Sequence, residues 1–330
     1  MFKLGVKFKD IVESDKINFK DLEGTTIAID AYNIIYQFLS SIRQQNGQPL
    51  MDLEGNITSH LSGILYRNSS IIDKGIKLIY VFDGESHVYK QKTISKRQEI
   101  RSESEKKWKD ALESGDDDLA RKFAIRSSKI SPYILDSSKR LLDLMGIPYI
   151  QAKGEGEAQA SYLVQKGDAW GVGSQDYDCL LFGADQIVRN LTLTNNIGEL
   201  ELLKLRNVLK KLEITREDLI NIAILVGTDF NEGVKGIGAK KGLKLLKDNK
   251  IQKAIDEYEK KSDEDIESVK NIFLNPYINK DYKIKWKKVD KDGILEFLCE
   301  QHGFSKERVI NASNKLKKLN NTQKSLEDWF

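Results

Sequence analysis

Short apolar runs alternate with longer amphipathic stretches along the 330 residues. The apolar and β-branched runs predict strands at 25–29, 76–82, 170–173 and 186–190. Apolar positions recurring every three or four residues predict helices at 32–43, 57–74, 135–145, 157–166 and 216–226. Gly167 fits the stop of the fourth helix. Strands alternating with helices predict an α/β fold, with a mainly parallel central sheet flanked by helices. Two stretches break the rhythm. Residues 85–131 are dense in charge, with Ile94, Trp108, Leu112 and Phe123 as the few apolar anchors and no strand signal. The stretch is too long for a plain connection, and its opposite charges three or four apart favour solvated helices. Residues 315–330 are polar until they end in Leu326, Trp329 and Phe330.

Composition narrows the class. The chain is 40% hydrophobic and 31% charged, apolar enough for a core and too apolar for general disorder. No apolar run approaches the ~18 residues of a membrane span, and the first ten residues lack the apolar stretch of a secretory signal. Two cysteines, Cys179 and Cys299, with three histidines argue against a structural zinc site and for a reducing compartment. The net charge of +3 neither demands nor excludes nucleic acid; its distribution decides.

The candidate chemistry stands where apolar runs end. TTIAID ends at Asp30, IYVFD at Asp83, WGVGSQDYD at Asp176 and Asp178, and the helical run ILVGTD at Asp229. GEGEAQ adds Glu155 and Glu157 at the start of a helix. One acid after a strand is usually a helix cap. Seven at such junctions point to one site, because loops after parallel strands converge on one edge of the sheet. If the strand continues through Asp176 and Asp178, the two share a face. Glu155 and Glu157 can cooperate only at a loop-to-helix junction, which Gly154 and Gly156 permit. So many carboxylates need cations, and hard oxygen ligands without His or Cys suit Mg²⁺ or Mn²⁺. Two such ions ~4 Å apart clamp the attacking and leaving oxygens of an in-line displacement at phosphorus. Independent caps and surface acids are the alternative.

These residues bring a family into view. AIDAYNIIYQFLSSIRQ, TSHLSGILYR, YVFDGE, LMGIPYIQAKGEGEAQASYL, SQDYDCLLFGADQIVRNLT, ILVGTDFNEGVKGIGAKKGLKLL, FLNP and FSKERV run in order from residue 25 towards the C-terminus. The chain resembles the flap endonucleases of the XPG-like structure-specific 5′ nuclease family, archaeal members in particular. The resemblance implies that Asp30, Asp83, Glu155, Glu157, Asp176, Asp178 and Asp229 hold two Mg²⁺ ions, for which Mn²⁺ can substitute. It implies that the insertion at about 85–131 is a helical arch over the site. Lys90 and Arg97, seven apart, match the basic pair at the arch base, and Arg101 continues that face. Tyr36 and Arg43, on the helix after Asp30, match a base-stacking aromatic and a DNA contact. In GVKGIGAKKG, within the turn at about 229–246, Gly236, Gly238, Lys240 and Lys241 match a helix–turn–helix clamp on duplex DNA, with K⁺ at backbone carbonyls. Thr58 falls in the segment lining a 3′-flap pocket. Gln323, Leu326, Trp329 and Phe330 form a sliding-clamp-binding motif.

The resemblance therefore implies a monomeric α/β nuclease core at 1–320 and a clamp-binding tail at 321–330. It implies 5′-flap cleavage in Okazaki-fragment maturation and long-patch base excision repair, with 5′–3′ exonuclease activity. The substrate is flap or nicked duplex DNA, and no membrane is involved. The setting is cytoplasmic and nucleoid-associated if the chain is archaeal, nuclear if eukaryotic. A related 5′ exonuclease or junction resolvase, a metal-dependent phosphatase, and a non-catalytic clamp adaptor are the rivals. The family starts Met-Gly, whereas this chain has Phe2 and its first glycine is Gly5. Gly154 and Phe230 replace a common Ser and Tyr without removing a ligand.

Overall fold

The runs TIAID and KLIYVF form adjacent central strands whose two faces are both buried. Ala28, Ile79 and Val81 enter one apolar core; Ile27, Ile29, Leu78, Tyr80 and Phe82 enter the other. Strands buried on both faces read as continuous apolar runs, which is why the sequence announces them. Each fully buried large side chain contributes about 1.5–3 kcal/mol. Tyr80 does so without stranding its hydroxyl, which donates to Asn68 Oδ1 at 2.9 Å.

In the computed structural model, which describes residues 5–192, 199–262, 264–317 and 319, seven strands form one sheet: β1 Asp15–Ile17, β2 Thr26–Asp30, β3 Lys77–Phe82, β4 Tyr149–Gln151, β5 Gly171–Gly173, β6 Gln186–Arg189 and β7 Leu200–Lys204. Their order is β1-β7-β6-β5-β2-β3-β4. The five strands from β2 to β6 are parallel, with Thr26 opposite Lys77 and Ile27 opposite Gly171. β7 and β1 add an antiparallel margin. The α/β expectation holds, and the predicted strands lie within one or two residues of β2, β3, β5 and β6. Strands β1, β4 and β7 were not predicted. From β2 the chain winds outward to β3 and β4, then crosses back to β5 and β6. The winding reverses between β2 and β5, and open α/β sheets bind ligands beside such a reversal, at the strand C-termini.

Helices Ala31–Ser41, Ser59–Ile72 and Pro132–Met145 cover one face; Gly156–Lys166 and Arg216–Val226 cover the other. The charged insertion is two helices, Gln91–Glu113 and Asp117–Arg126, reversed at Gly115 with φ +71°. Its buried seam is Ser104, Ala111, Ala120 and Ala124, whereas the four anticipated anchors are only half-buried. Small residues let the two helices approach closely, and the larger side chains lie at the margin. Past Val226, residues 227–238 turn the chain into helix Ala239–Lys247. The turn folds back on the helix before it, with the Val234 N–H donating to the Leu225 carbonyl at 2.8 Å.

Candidate active site

Each predicted acid stands at an element end on one edge of the sheet. Asp30 ends β2 and caps the following helix, its Oδ1 accepting from the Asn33 N–H at 3.1 Å. Asp83 follows β3 and accepts from the Gly156 N–H at 2.6 Å. Glu155 stands at the N-cap position of helix Gly156–Lys166, without a side-chain cap hydrogen bond, and Glu157 lies in its first turn, at the loop-to-helix junction that their spacing requires. Asp178 accepts from the Val6 N–H at 2.8 Å. Asp176 accepts from the Asn33 side-chain amide at 2.6 Å, so Asn33 links the acids after β2 and β5. One expectation is corrected. β5 ends at Gly173, Asp176 lies in the turn beyond it, and Asp178 opens the short helix Asp178–Leu181. The pair shares a turn, not a strand face.

The site is charged against its own preference. Burial, and then the neighbouring Asp83 charge, push Asp30 up to about 8. Burial and Asp229 push Asp178 up to about 8. Burial raises Asp83 and Asp176 to about 6, helped by Glu155 and Asp229 respectively. Glu157 is raised well above its ordinary value by burial and by Asp178, Asp176 and Asp30. Two cations of the insertion answer this field. Arg97 Nη2 donates to Asp229 Oδ1 at 2.6 Å. The Lys90 ammonium donates to Glu155 and stands 3.8 Å from Asp229 Oδ2. Burial disfavours the Lys90 charge, but Glu155, Asp83 and Asp229 outweigh it and raise its pKa.

An all-oxygen, mutually repelling donor set fits hard divalent cations. As the side chains stand, no three His, Cys, Asp or Glu among the described residues converge on one point. Glu155 is turned to Lys90 through one oxygen, and Asp229 to Arg97.

The other predicted residues divide. Tyr36 is half-buried outside the core, and the Arg101 guanidinium lies 5.3 Å from its ring centroid, between the insertion and the first helix. Arg43 lies beyond its predicted helix, which ends at Ser41. Its guanidinium donates to the Gly47 carbonyl at 2.7 Å and Ser128 Oγ at 2.6 Å, bracing the insertion's exit. Thr58 is only 3% exposed and precedes helix Ser59–Ile72. Gly236 has φ +85°, Gly238 opens helix Ala239–Lys247 with no side-chain cap, and Lys240 and Lys241 are exposed. Nothing lies within 4 Å of where a Cβ of either glycine would stand, so the backbone is open to approach. Gln323, Leu326, Trp329 and Phe330 lie outside the described residues.

Sequence reasoning missed two supports, and for Gly156 it missed the contact with Asp83. Asn33 is three residues past Asp30, a spacing that signalled a cap but not the second acid. Gly156 is needed because a Cβ there would stand 2.5 Å from Asp83 Oδ1. Gly5, with φ +57°, lies against Asp178: its Cβ would be 2.9 Å from Oδ1. The N-terminal segment therefore reaches the acids despite Phe2.

The XPG N-terminal domain matches residues 6–104 and the XPG I-region residues 146–229. Flap endonuclease 1 of Methanobrevibacter smithii is 60% identical over 327 residues, spanning 99% of this chain and all of that protein. Flap endonuclease 1 of Pyrococcus furiosus is 48% identical over 340 residues, spanning 99% of each. The solved flap endonuclease-1 from Methanococcus jannaschii is 42% identical, with a TM-score of 0.80 over 97% of this chain and all of that one. The catalytic core of Rad2 in complex with DNA substrate shares the fold at 24% identity, TM-score 0.70, over 92% of this chain and 96% of that one.

Proposed function

The chain belongs to the flap endonucleases of the XPG family, structure-specific nucleases that depend on divalent metal, and on that premise we propose which of its residues do the work. The reading is 5′-flap cleavage near the flap base in Okazaki-fragment maturation and long-patch repair, with associated 5′–3′ exonuclease activity. Asp30, Asp83, Glu155, Glu157, Asp176, Asp178 and Asp229 would hold two Mg²⁺ ions, for which Mn²⁺ can substitute. Bound there, the ions supply the charge that stabilises attacking and leaving oxygens at phosphorus. The observation that carries the reading is the cluster of buried acids at the strand ends, met by two cations from the insertion.

The chain's own groups then have separate tasks. Lys90 and Arg97 stand at the arch base, where their charges can turn from Glu155 and Asp229 to the scissile phosphate. Fixed cations aimed at developing negative charge act strongly in a water-poor site. Tyr36 offers a ring beneath the arch for stacking on a base, with Arg101 beside it. The open backbone at Gly236 and Gly238, with Lys240 and Lys241, would hold duplex phosphates, with K⁺ at the turn. Such contacts fix position without reading bases, so recognition follows DNA shape. Residues 1–320 would act as a monomeric core. The tail from Gln323 to Phe330 would dock on a sliding clamp.

The test is cleavage of end-labelled double-flap DNA with Mg²⁺, beside single-stranded, nicked and four-way-junction DNA. One dominant product near the flap base, lost on chelation, is expected. Asp178→Asn is expected to abolish cleavage while leaving DNA binding. Cleavage confined to junctions, or mononucleotide release alone, would replace the substrate. Binding without cleavage would favour an adaptor.

A further inference from the structure

Residues 275–290 form an irregular strap with an ordered surface. From residue 281 to 287 exposure alternates strictly. Tyr282, Ile284 and Trp286 pack inward, while Asp281, Lys283, Lys285 and Lys287 face solvent, so the row carries one acid beside its lysines. Lys280 and Lys288 extend the exposed row at its two ends. The strap runs beside edge strand β4 in the reverse direction. The Asn279 side-chain amide donates to the Gln151 carbonyl at 3.0 Å, and the Lys287 N–H donates to the Gly146 carbonyl at 3.0 Å. Tyr282 and Trp286 pin the middle, donating to Asp168 Oδ2 at 2.6 Å and the Leu78 carbonyl at 3.2 Å. Lys287 is paired with Asp143 at 2.8 Å. Lys280, Lys283, Lys285 and Lys288 have no ion pair among the described residues.

The strap begins at the acids. The Tyr277 carbonyl lies 3.3 Å from where a Gly154 Cβ would stand, one residue before Glu155. The Tyr277 ring is 68% exposed, with Lys153 Nζ 5.5 Å from its centroid. An exposed ring followed by a pinned row of free cations is the pattern that binds single strands: bases stack on the ring and phosphates follow the charges. Along the alternating stretch, lysines two residues apart are spaced by about 6–7 Å of extended chain.

We propose that this strap is a track for single-stranded DNA, with the 5′ flap strand leaving the acids across Tyr277 and lying along Lys280, Lys283, Lys285 and Lys288. This rests on the flap-nuclease reading and adds a site to it. Lysines beside an edge strand also discourage edge-to-edge pairing, but that role gives no dependence on flap length.

The experiment compares double-flap DNAs carrying a short or a long 5′ flap. Their binding to the full-length protein is measured by fluorescence anisotropy in EDTA across a salt series. The variants are the quadruple change of Lys280, Lys283, Lys285 and Lys288 to Gln, and Tyr277→Ala. The parent is expected to hold the long flap about tenfold more tightly, and each variant to lose most of that preference. In the quadruple variant the salt slope for the long flap should fall by about two to three, at about 0.7 per phosphate contact. Short-flap affinity, short-flap cleavage and thermal unfolding should stay at parent values. Equal loss on both flaps would overturn the proposal, as would an unchanged preference, whether or not the variant aggregates or loses sliding-clamp binding. A parent that cuts no flap at all would instead overturn the underlying nuclease reading.

Discussion

Asp83 Oδ1 accepts from the Gly156 N–H, and a Cβ on Gly156 would stand only 2.5 Å from it. Gly156→Ala should displace that carboxylate, weaken divalent-metal binding measured calorimetrically, and lower cleavage with it; unchanged metal affinity would show that the loop yields freely. The same acids set a pH dependence. Asp30, Asp83, Asp176 and Asp178 have folded pKa values above their unfolded ones, so their share of stability is complete below the ordinary carboxylate range near 4. That share is lost as pH rises through about 6 for Asp83 and Asp176 and about 8 for Asp30 and Asp178. Melting of the metal-free protein should therefore occur at lower temperature as pH is raised from 5 to 8, and saturating Mg²⁺ should flatten the trend. The acids were legible because apolar runs point at them. The partners of Arg43 and the burial of Thr58 were not, because both come from distant packing.

At the scale of elements, the insertion is fastened to the rest by charge. Besides Lys90 and Arg97, Lys96 pairs with Glu232 at 2.5 Å on the exposed surface. An exposed pair is worth roughly 0.2–1 kcal/mol and is screened by salt. Arg97→Ala should lower the cleavage rate about 10²-fold or more, with a much smaller change in DNA affinity, read in single-turnover kinetics. Lys96→Ala should change the rate only a few-fold, and the difference from the parent should fade at high salt. If both variants behaved alike, Arg97 would be a fastener and not a catalytic cation. The sequence foretold helices here from charge spacing but not their contact, because Ala111, Ala120 and Ala124 carry no hydrophobic signal as strong as Trp108. Strands β1 and β4, three residues each, are too short for alternation to show. β7 breaks alternation at Leu202 and Leu203, and its antiparallel return along β6 is a fact of pairing that no single run of residues encodes.

At the scale of the whole molecule, the core and the tail should separate functionally. Removing residues 321–330 should leave flap cleavage by the free enzyme unchanged and abolish stimulation by the sliding clamp; loss of both would place the tail in the core. The fold was readable at this scale because strand and helix alternate along most of the chain, whereas the joining of distant segments was not. The hydrogen bond from Val6 to Asp178 is one such joint. Its two ends are made at very different times. During synthesis the first acid, Asp30, emerges long before the last, Asp229, roughly 10–40 s later at ordinary translation rates. Until then the nascent chain carries Lys90 and Arg97 with no Asp229 for Arg97 to meet. On the proposed reading, a protein able to sever DNA is armed only when Asp229, just past helix Arg216–Val226, has been added and Val6 has reached Asp178.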